Sequence, residues 1–401
     1  PPAAAAPAAA VPSPVTFNTA FESGSLGPVE QIGENEYRLH LKGQQDARGR
    51  NRQATWFYVR LDHVAGRALT LRLTSMKGEY NERPSAGPGG PWYRPVFSED
   101  GNTWQHFPDA VYDAAKDELT LQLNSTRGTV WLAHTPPYTY TRLQQLLEEI
   151  RPSRHARIEV IGASVLGRPL QRVTVTNWAR PDAGKKVLWM QARQHAWESG
   201  TSFLLEGALR FVLSDDPVAV KLRDENVICF VPMINPDSVV RGDVRYNANG
   251  YDPNRQWNLV DLRDPAWLER NPEIWYVKQA LLAQHARQPI AFALNLHNTE
   301  MNEYLETNVD AEPQQSQFQR FFELAATRTT FDPSRPKVTI TPITPATVFF
   351  TTNSIWREAR IPMMLLEQRT GPSRKLGHIA TTAERIQLGR DLIALMAEVV
   401  K

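Results

Sequence analysis

Cysteine is nearly missing from this chain of 401 residues: Cys229 is its only one. A disulfide within the chain is therefore excluded. Cys229 sits in the apolar run Val227-Ile228-Cys229-Phe230-Val231. A small buried core residue is expected there, because a reactive thiolate needs an activating, partly exposed setting. Low cysteine fits the cytosol without excluding the periplasm. Long apolar runs are missing as well. No stretch approaches the roughly 20 residues that cross a bilayer, so no transmembrane segment is expected. Nor is there an excess of charge of one sign. Lys and Arg number 45 against 43 Asp and Glu, a formal net charge of +2. With no long basic run, charge gives no argument for nucleic acid or membrane lipid as a partner. What is present, 41% hydrophobic residues and 11 Trp, suits a folded chain with one large domain and one small one.

Residues 1–14, rich in Ala and Pro, read as a disordered leader. Such a tether is common behind a removed signal peptide. Export to the periplasm or medium is thus the expectation and the cytoplasm the alternative. Residues 15–136 alternate apolar and polar side chains, as in Tyr37–Leu41, Trp56–Leu61, Leu69–Leu73, Leu119–Leu123 and Thr129–Leu132. Turn clusters such as Pro84–Pro91 separate them, which predicts a small all-β sandwich. Its Trp and Tyr residues are expected in the core or at a domain interface. From 137 to 401 the pattern changes. A helix at Thr141–Glu149 and a hairpin, Ala156–Ile161 with Leu170–Val175, precede alternating strands and helices. Strands are expected at Lys186–Ala192, Asn226–Ile234, Ile290–Leu296, Val338–Thr341 and Met363–Leu366. Helices are expected at 200–213, 274–284, 314–327 and 382–400. This is an α/β domain with a mixed central sheet covered by helices on both faces.

Chemistry collects where these strands end. His195-Ala196-Trp197-Glu198 follows one apolar run and His297 follows another. His, Glu and His at neighbouring strand ends could hold a metal and leave a position open for water. The plain alternative is an unrelated surface pair and a lone histidine. The loop from Asn235 to Trp257, after a third apolar strand, contains Arg241, Arg245 and Arg255. Their planar forks suit carboxylates, unless the loop is only solvated. Glu367 ends the strand Met363–Leu366 and is read as functional, with a salt bridge to Arg369 as the alternative.

Together these segments resemble the M14 zinc carboxypeptidases, and most of all their cytosolic-carboxypeptidase-like branch. The resemblance rests on His195-Ala196-Trp197-Glu198, Val231–Asp237, Gly250–Trp257, Asn295-Leu296-His297, and Trp356-Arg357-Glu358 ahead of Leu366-Glu367. A β-domain in front also fits that branch. The resemblance implies one zinc ion per chain on His195, Glu198 and His297. It implies that Arg245 polarises the scissile carbonyl and that Asn254 and Arg255 hold the terminal carboxylate of a peptide. Glu367 would activate a zinc-bound water as general base and acid. The implied activity is removal of a C-terminal residue from a peptide.

Two departures bear on the substrate. The family usually places a tyrosine in the segment before the base, yet no Tyr lies between Val338 and Leu366. Its acidic-tail-trimming members tend to carry an arginine where this chain reads Thr351-Thr352-Asn353-Ser354. A neutral pocket for small polar or apolar side chains is the expectation. Cell-wall peptides with a D-amino acid or diaminopimelate are an alternative substrate, and a catalytically silent binder of chain ends is an alternative function. The β-domain is expected to pack beside the site and restrict access. No motif sets the oligomeric state.

Overall fold

In the computed structural model, which describes residues 13–80 and 82–400, the first strand is Thr16–Asn18. All but the last two residues of the Ala/Pro leader lie outside the described residues, so nothing in the structure supports the export read from them. Two five-stranded sheets follow, up to Ala133. The alternation places Leu69, Leu71 and Leu73 opposite Leu119, Leu121 and Leu123 in the sandwich core, with Thr70 and Arg72 facing outward. A two-stranded ribbon, Gly78–Tyr80 with Arg83–Ser85, projects from this unit.

An eight-stranded mixed sheet organises the remainder. Its central strands, Asn226–Val231, Lys186–Gln191, Ile290–Thr299 and Met363–Arg369, run parallel. They read as continuous apolar runs because both faces are covered. Leu188, Met190, Phe292, Leu294, Met364 and Leu366 face one core, against the helices Ser199–Leu213, Gln314–Arg328 and Thr382–Val399. Val187, Trp189, Ala293 and Met363 face the other, against Pro272–Arg287 and Thr351–Ala359. Cys229 lies in that second core, fully buried, as expected.

Several boundaries differ from the sequence reading. His297 lies inside the strand Ile290–Thr299, and Glu367 inside Met363–Arg369. Both strands outrun their apolar cores because their polar ends still pair: His297 is the register partner of Glu367. A short helix, Pro236–Arg241, starts the loop expected to be wholly irregular. Asn235 caps it and Pro236 occupies its first turn, a good N-terminal signature on only one turn of apolar residues. The strand Tyr304–Thr307 and the helices Pro217–Glu225 and Thr351–Ala359 were not anticipated. Among the described residues, no helix is long and apolar enough to cross a membrane.

The helices Ser199–Leu213 and Thr382–Val399 cross with their backbones in contact. A Cβ on Gly207 would lie 1.9 Å from the Ile386 carbonyl oxygen, and one on Gly389 would lie 1.8 Å from that of Leu204. Since Glu198 immediately precedes the first helix, this crossing fixes one wall of the site. Gly207→Ala is expected to cost about 1–3 kcal/mol by overpacking, measured as a lowered midpoint in denaturant titration.

Candidate active site

The site begins with a strained turn. Arg193, directly after the strand Lys186–Gln191 and Ala192, has φ of 62°, unfavourable for a residue with a Cβ. Its guanidinium is buried and donates to the carbonyls of Ala196 (2.9 Å) and Tyr138 (2.8 Å) and to Ser202 Oγ (3.0 Å). This closes the chain over His195 and delivers Glu198 to the N-cap of the helix Ser199–Leu213. Glu198 makes no side-chain cap. Its carboxylate turns to the histidines: Oε1 is 2.6 Å from His195 Nδ1 and Oε2 is 3.1 Å from His297 Nδ1. One ligand atom from each of the three lies within 4.8 Å of the others. Burial pushes the Glu198 carboxyl pKa up, but the imidazoles of His195 and His297 outweigh it and hold the group down at about 2.

Both rings are fixed through their other nitrogen. His195 Nε2 lies 3.3 Å from Asp252 Oδ1, and His297 Nε2 lies 2.9 Å from Gln194 Oε1. Each ring therefore presents Nδ1 to the common point, with its outer nitrogen held by an acceptor. Asp252 also accepts from Arg245 Nε (2.6 Å) and from the amide of Asn254 (2.8 Å). Desolvation disfavours its charge, yet Arg245 and Arg255 hold its carboxyl well below the usual range. One carboxylate thus ties a histidine to two residues of the arginine-bearing loop.

His195, Glu198, Arg245, Asn254, Arg255 and Glu367 all line one cavity of about 520 Å³. His297 is buried beside Glu198 and Glu367. Glu367 Oε2 is buried without a hydrogen-bond partner. Burial, and then the charge of Glu198, push its carboxyl well above the usual range. The alternative salt bridge to Arg369 does not form, since that arginine pairs with Glu303 and Asp332. Asn254 Oδ1 accepts from the amide (3.0 Å) and hydroxyl (2.8 Å) of Thr351.

The β-domain supplies part of the wall. Gln44 Oε1 accepts from three successive amides, Val244 (3.0 Å), Arg245 (2.6 Å) and Tyr246 (2.9 Å). Tyr80, on the projecting ribbon, receives a hydrogen bond from Arg255, and its ring centroid lies 5.0 Å from the Arg245 guanidinium carbon. Trp56, Tyr58, Val96 and Ala133 pack on Trp197 and Val244 between the two units. The expectation that the β-domain stands beside the site therefore agrees with the structure.

Comparison with known proteins accords with both halves. Residues 141–325 match the family model for zinc carboxypeptidase, and residues 17–134 match that for the cytosolic carboxypeptidase N-terminal domain. The chain belongs to the zinc carboxypeptidases. It is 28% identical over 327 residues to cytosolic carboxypeptidase 6 of Mus musculus, covering 77% of this chain and 58% of the relative. It is 30% identical over 284 residues to cytosolic carboxypeptidase 2 of Mus musculus, covering 66% of this chain and 32% of the relative. The chain thus spans well under two thirds of either relative. Its fold matches a metallo-carboxypeptidase from Burkholderia cenocepacia with a TM-score of 0.82 at 23% identity, covering 96% of this chain and 99% of the other. A metallo-carboxypeptidase from Pseudomonas aeruginosa gives 0.78 at 23%, covering 96% and 100%.

The donor set here fits a metal on its own chemistry: two imidazole nitrogens and a carboxylate oxygen within 4.8 Å of one another, with a cavity on the open side. Sequence reasoning missed Arg193, Gln194, Gln44 and Tyr80. Gln194 adjoins His195 and could have been flagged; Gln44 and Tyr80 lie in another domain and carry no local signal.

Two variants test these supports. Gln194→Leu removes the acceptor that orients His297, and is expected to lower divalent-metal affinity ~10–100-fold, read by competition with a chromophoric chelator. Gln44→Ala strands three amides and is expected to cost about 1–3 kcal/mol, read by chemical denaturation.

Proposed function

We propose that this chain is a zinc-dependent carboxypeptidase that removes the C-terminal residue of a peptide, with Glu367 as general base and acid. The observation that carries the proposal is the convergence of His195, Glu198 and His297 on one point, beside a cavity into which the buried, unpartnered Glu367 carboxylate also faces. Glu198 is wedged between imidazoles and held ionised; Glu367 is unpaired and held toward its protonated form. Environments that push two carboxyls apart in this way suit one to a charge-fixing role and the other to moving protons.

His195, Glu198 and His297 would hold the metal. Bound there, zinc would lower the pKa of a coordinated water toward ~7 and polarise a carbonyl. The remaining work falls to the chain. Arg255 and Asn254 would receive the substrate's terminal carboxylate, Arg255 through its planar fork. Tyr80 and Phe350 border that guanidinium, with ring centroids 5.6 and 4.6 Å from its central carbon. Arg245 would stabilise the oxyanion as the carbonyl carbon becomes tetrahedral. Asp252 fixes its Nε and keeps the fork oriented. Glu367 would take a proton from the attacking water and return it to the amine as the C–N bond breaks. The names of the cytosolic relatives favour the cytoplasmic alternative for its location.

The Pseudomonas aeruginosa structure is of a complex with (2-guanidinoethylmercapto)succinic acid. That compound, with its succinate and guanidinium groups, is a suitable probe here. Glu367→Gln is expected to keep stoichiometric zinc and lose ~10²–10⁴-fold in kcat. Metal analysis and timed release of a C-terminal amino acid check this. Full turnover in that variant would remove Glu367 from the mechanism.

A further inference from the structure

One wall of the cavity carries a charge that the proposed chemistry does not use. We propose that this wall is a side-chain subsite for a cationic C-terminal residue, lysine or arginine, recognised by Glu306. The inference rests on the carboxypeptidase reading above and names its substrate class.

The placement follows from strand register. Tyr304–Thr307 pairs antiparallel with Met363–Arg369, with Tyr304 opposite Glu367 and Glu306 opposite Leu365. Directly opposed residues project from the same face of a sheet. Glu306 therefore shares a face with Glu367 and lies two positions, about 6–7 Å, farther along it. That is about the reach of one side chain from the scissile bond. Leu365 and Phe350 give this part of the cavity apolar walls, and Thr341 and Thr352 line it with neutral hydroxyls. A carboxylate beside apolar walls and neutral hydroxyls suits an aliphatic stem with a cationic head.

The cations lining the cavity pair with groups other than Glu306. Arg52 donates to the carbonyls of Lys77, Leu41 and Ser75. Arg245 is held by Asp252, and Arg255 by Tyr80 and its own backbone region. The nearest cation to Glu306 is Arg335, whose Nη1 is 3.9 Å from Oε2. Arg335 does not line the cavity; it donates to Thr339 Oγ1 (2.6 Å) and stacks on the Tyr304 ring. Burial raises the Glu306 carboxyl, with the Thr341 hydroxyl and Arg335 opposing the rise. An entering ammonium or guanidinium would approach this carboxylate more closely than Arg335 does at 3.9 Å, whereas an acidic side chain would meet like charge. Of the neutral stretch Thr351–Ser354 only Thr352 lines the cavity; its charge comes from a strand the sequence did not reveal.

The test is a set of peptides identical except for a final Lys, Arg, Leu or Glu, given to the zinc-loaded full chain. The expected kcat/KM is at least tenfold higher for Lys and Arg than for Leu, and lowest for Glu. Glu306→Gln is expected to cut the Lys-to-Leu ratio tenfold or more, Glu306→Asp to retain most of it, and Glu306→Arg to shift preference toward Glu. A wild-type preference for Leu or Glu overturns the proposal. So does an equal loss on Lys and Leu peptides in Glu306→Gln, which would make Glu306 a structural partner of Arg335. If zinc binds but no peptide is cut, the carboxypeptidase reading fails separately. The subsite is then judged by calorimetry with (2-guanidinoethylmercapto)succinic acid: a tenfold weaker affinity in Glu306→Gln supports it, and unchanged affinity refutes it.

Discussion

Burying a carboxylate is costly unless it is paired, and the site depends on how Glu198 meets that cost. It is buried with His195 and His297 at its two oxygens, and each of those rings is fixed in turn by Asp252 or Gln194. Asp252 extends the chain of partners to Arg245 and Asn254. A single electrostatic demand thereby orders residues beyond the end of one strand, near the end of another and in a long loop. It also disfavours ionisation of Glu367, whose carboxyl is raised partly by the charge of Glu198.

Local strain supports the same arrangement. The left-handed Arg193 is tolerated because its buried guanidinium satisfies two carbonyls and a hydroxyl. The following helix is then pinned by the glycine crossing at Gly207 and Gly389. The β-domain braces the opposite wall. Gln44 holds the backbone of the Arg245 segment, and Tyr80 meets Arg255. The arginines therefore sit in positions that require both domains, and the cavity is as much a product of their packing as of the catalytic sheet.

Much of this was legible in the chain. Buried parallel strands announce themselves as apolar runs, so Lys186–Gln191, Asn226–Val231 and Ile290–Thr299 were placed to within a few residues. The sandwich strands followed from period-two alternation. His195, Glu198, His297 and Glu367 stood out at the ends of apolar strands, whereas the roles of Arg245, Asn254 and Arg255 in the loop came from the resemblance to the zinc carboxypeptidases. The misses share a cause. Tyr304–Thr307 is a short edge-side strand with a polar sequence, and Thr351–Ala359 begins with residues of weak helix propensity. Their structure comes from what they pack against.

The sequence by itself determined the types of the strongly patterned elements, the two-domain order and the inventory of reactive side chains, since periodicity and residue chemistry act locally. Tertiary structure alone decided which of those side chains share a cavity, which carboxylate stays ionised, and that Glu306, Gln44 and Tyr80 belong to the site. Those outcomes depend on desolvation and on distances between residues far apart in the chain, and no local pattern encodes either.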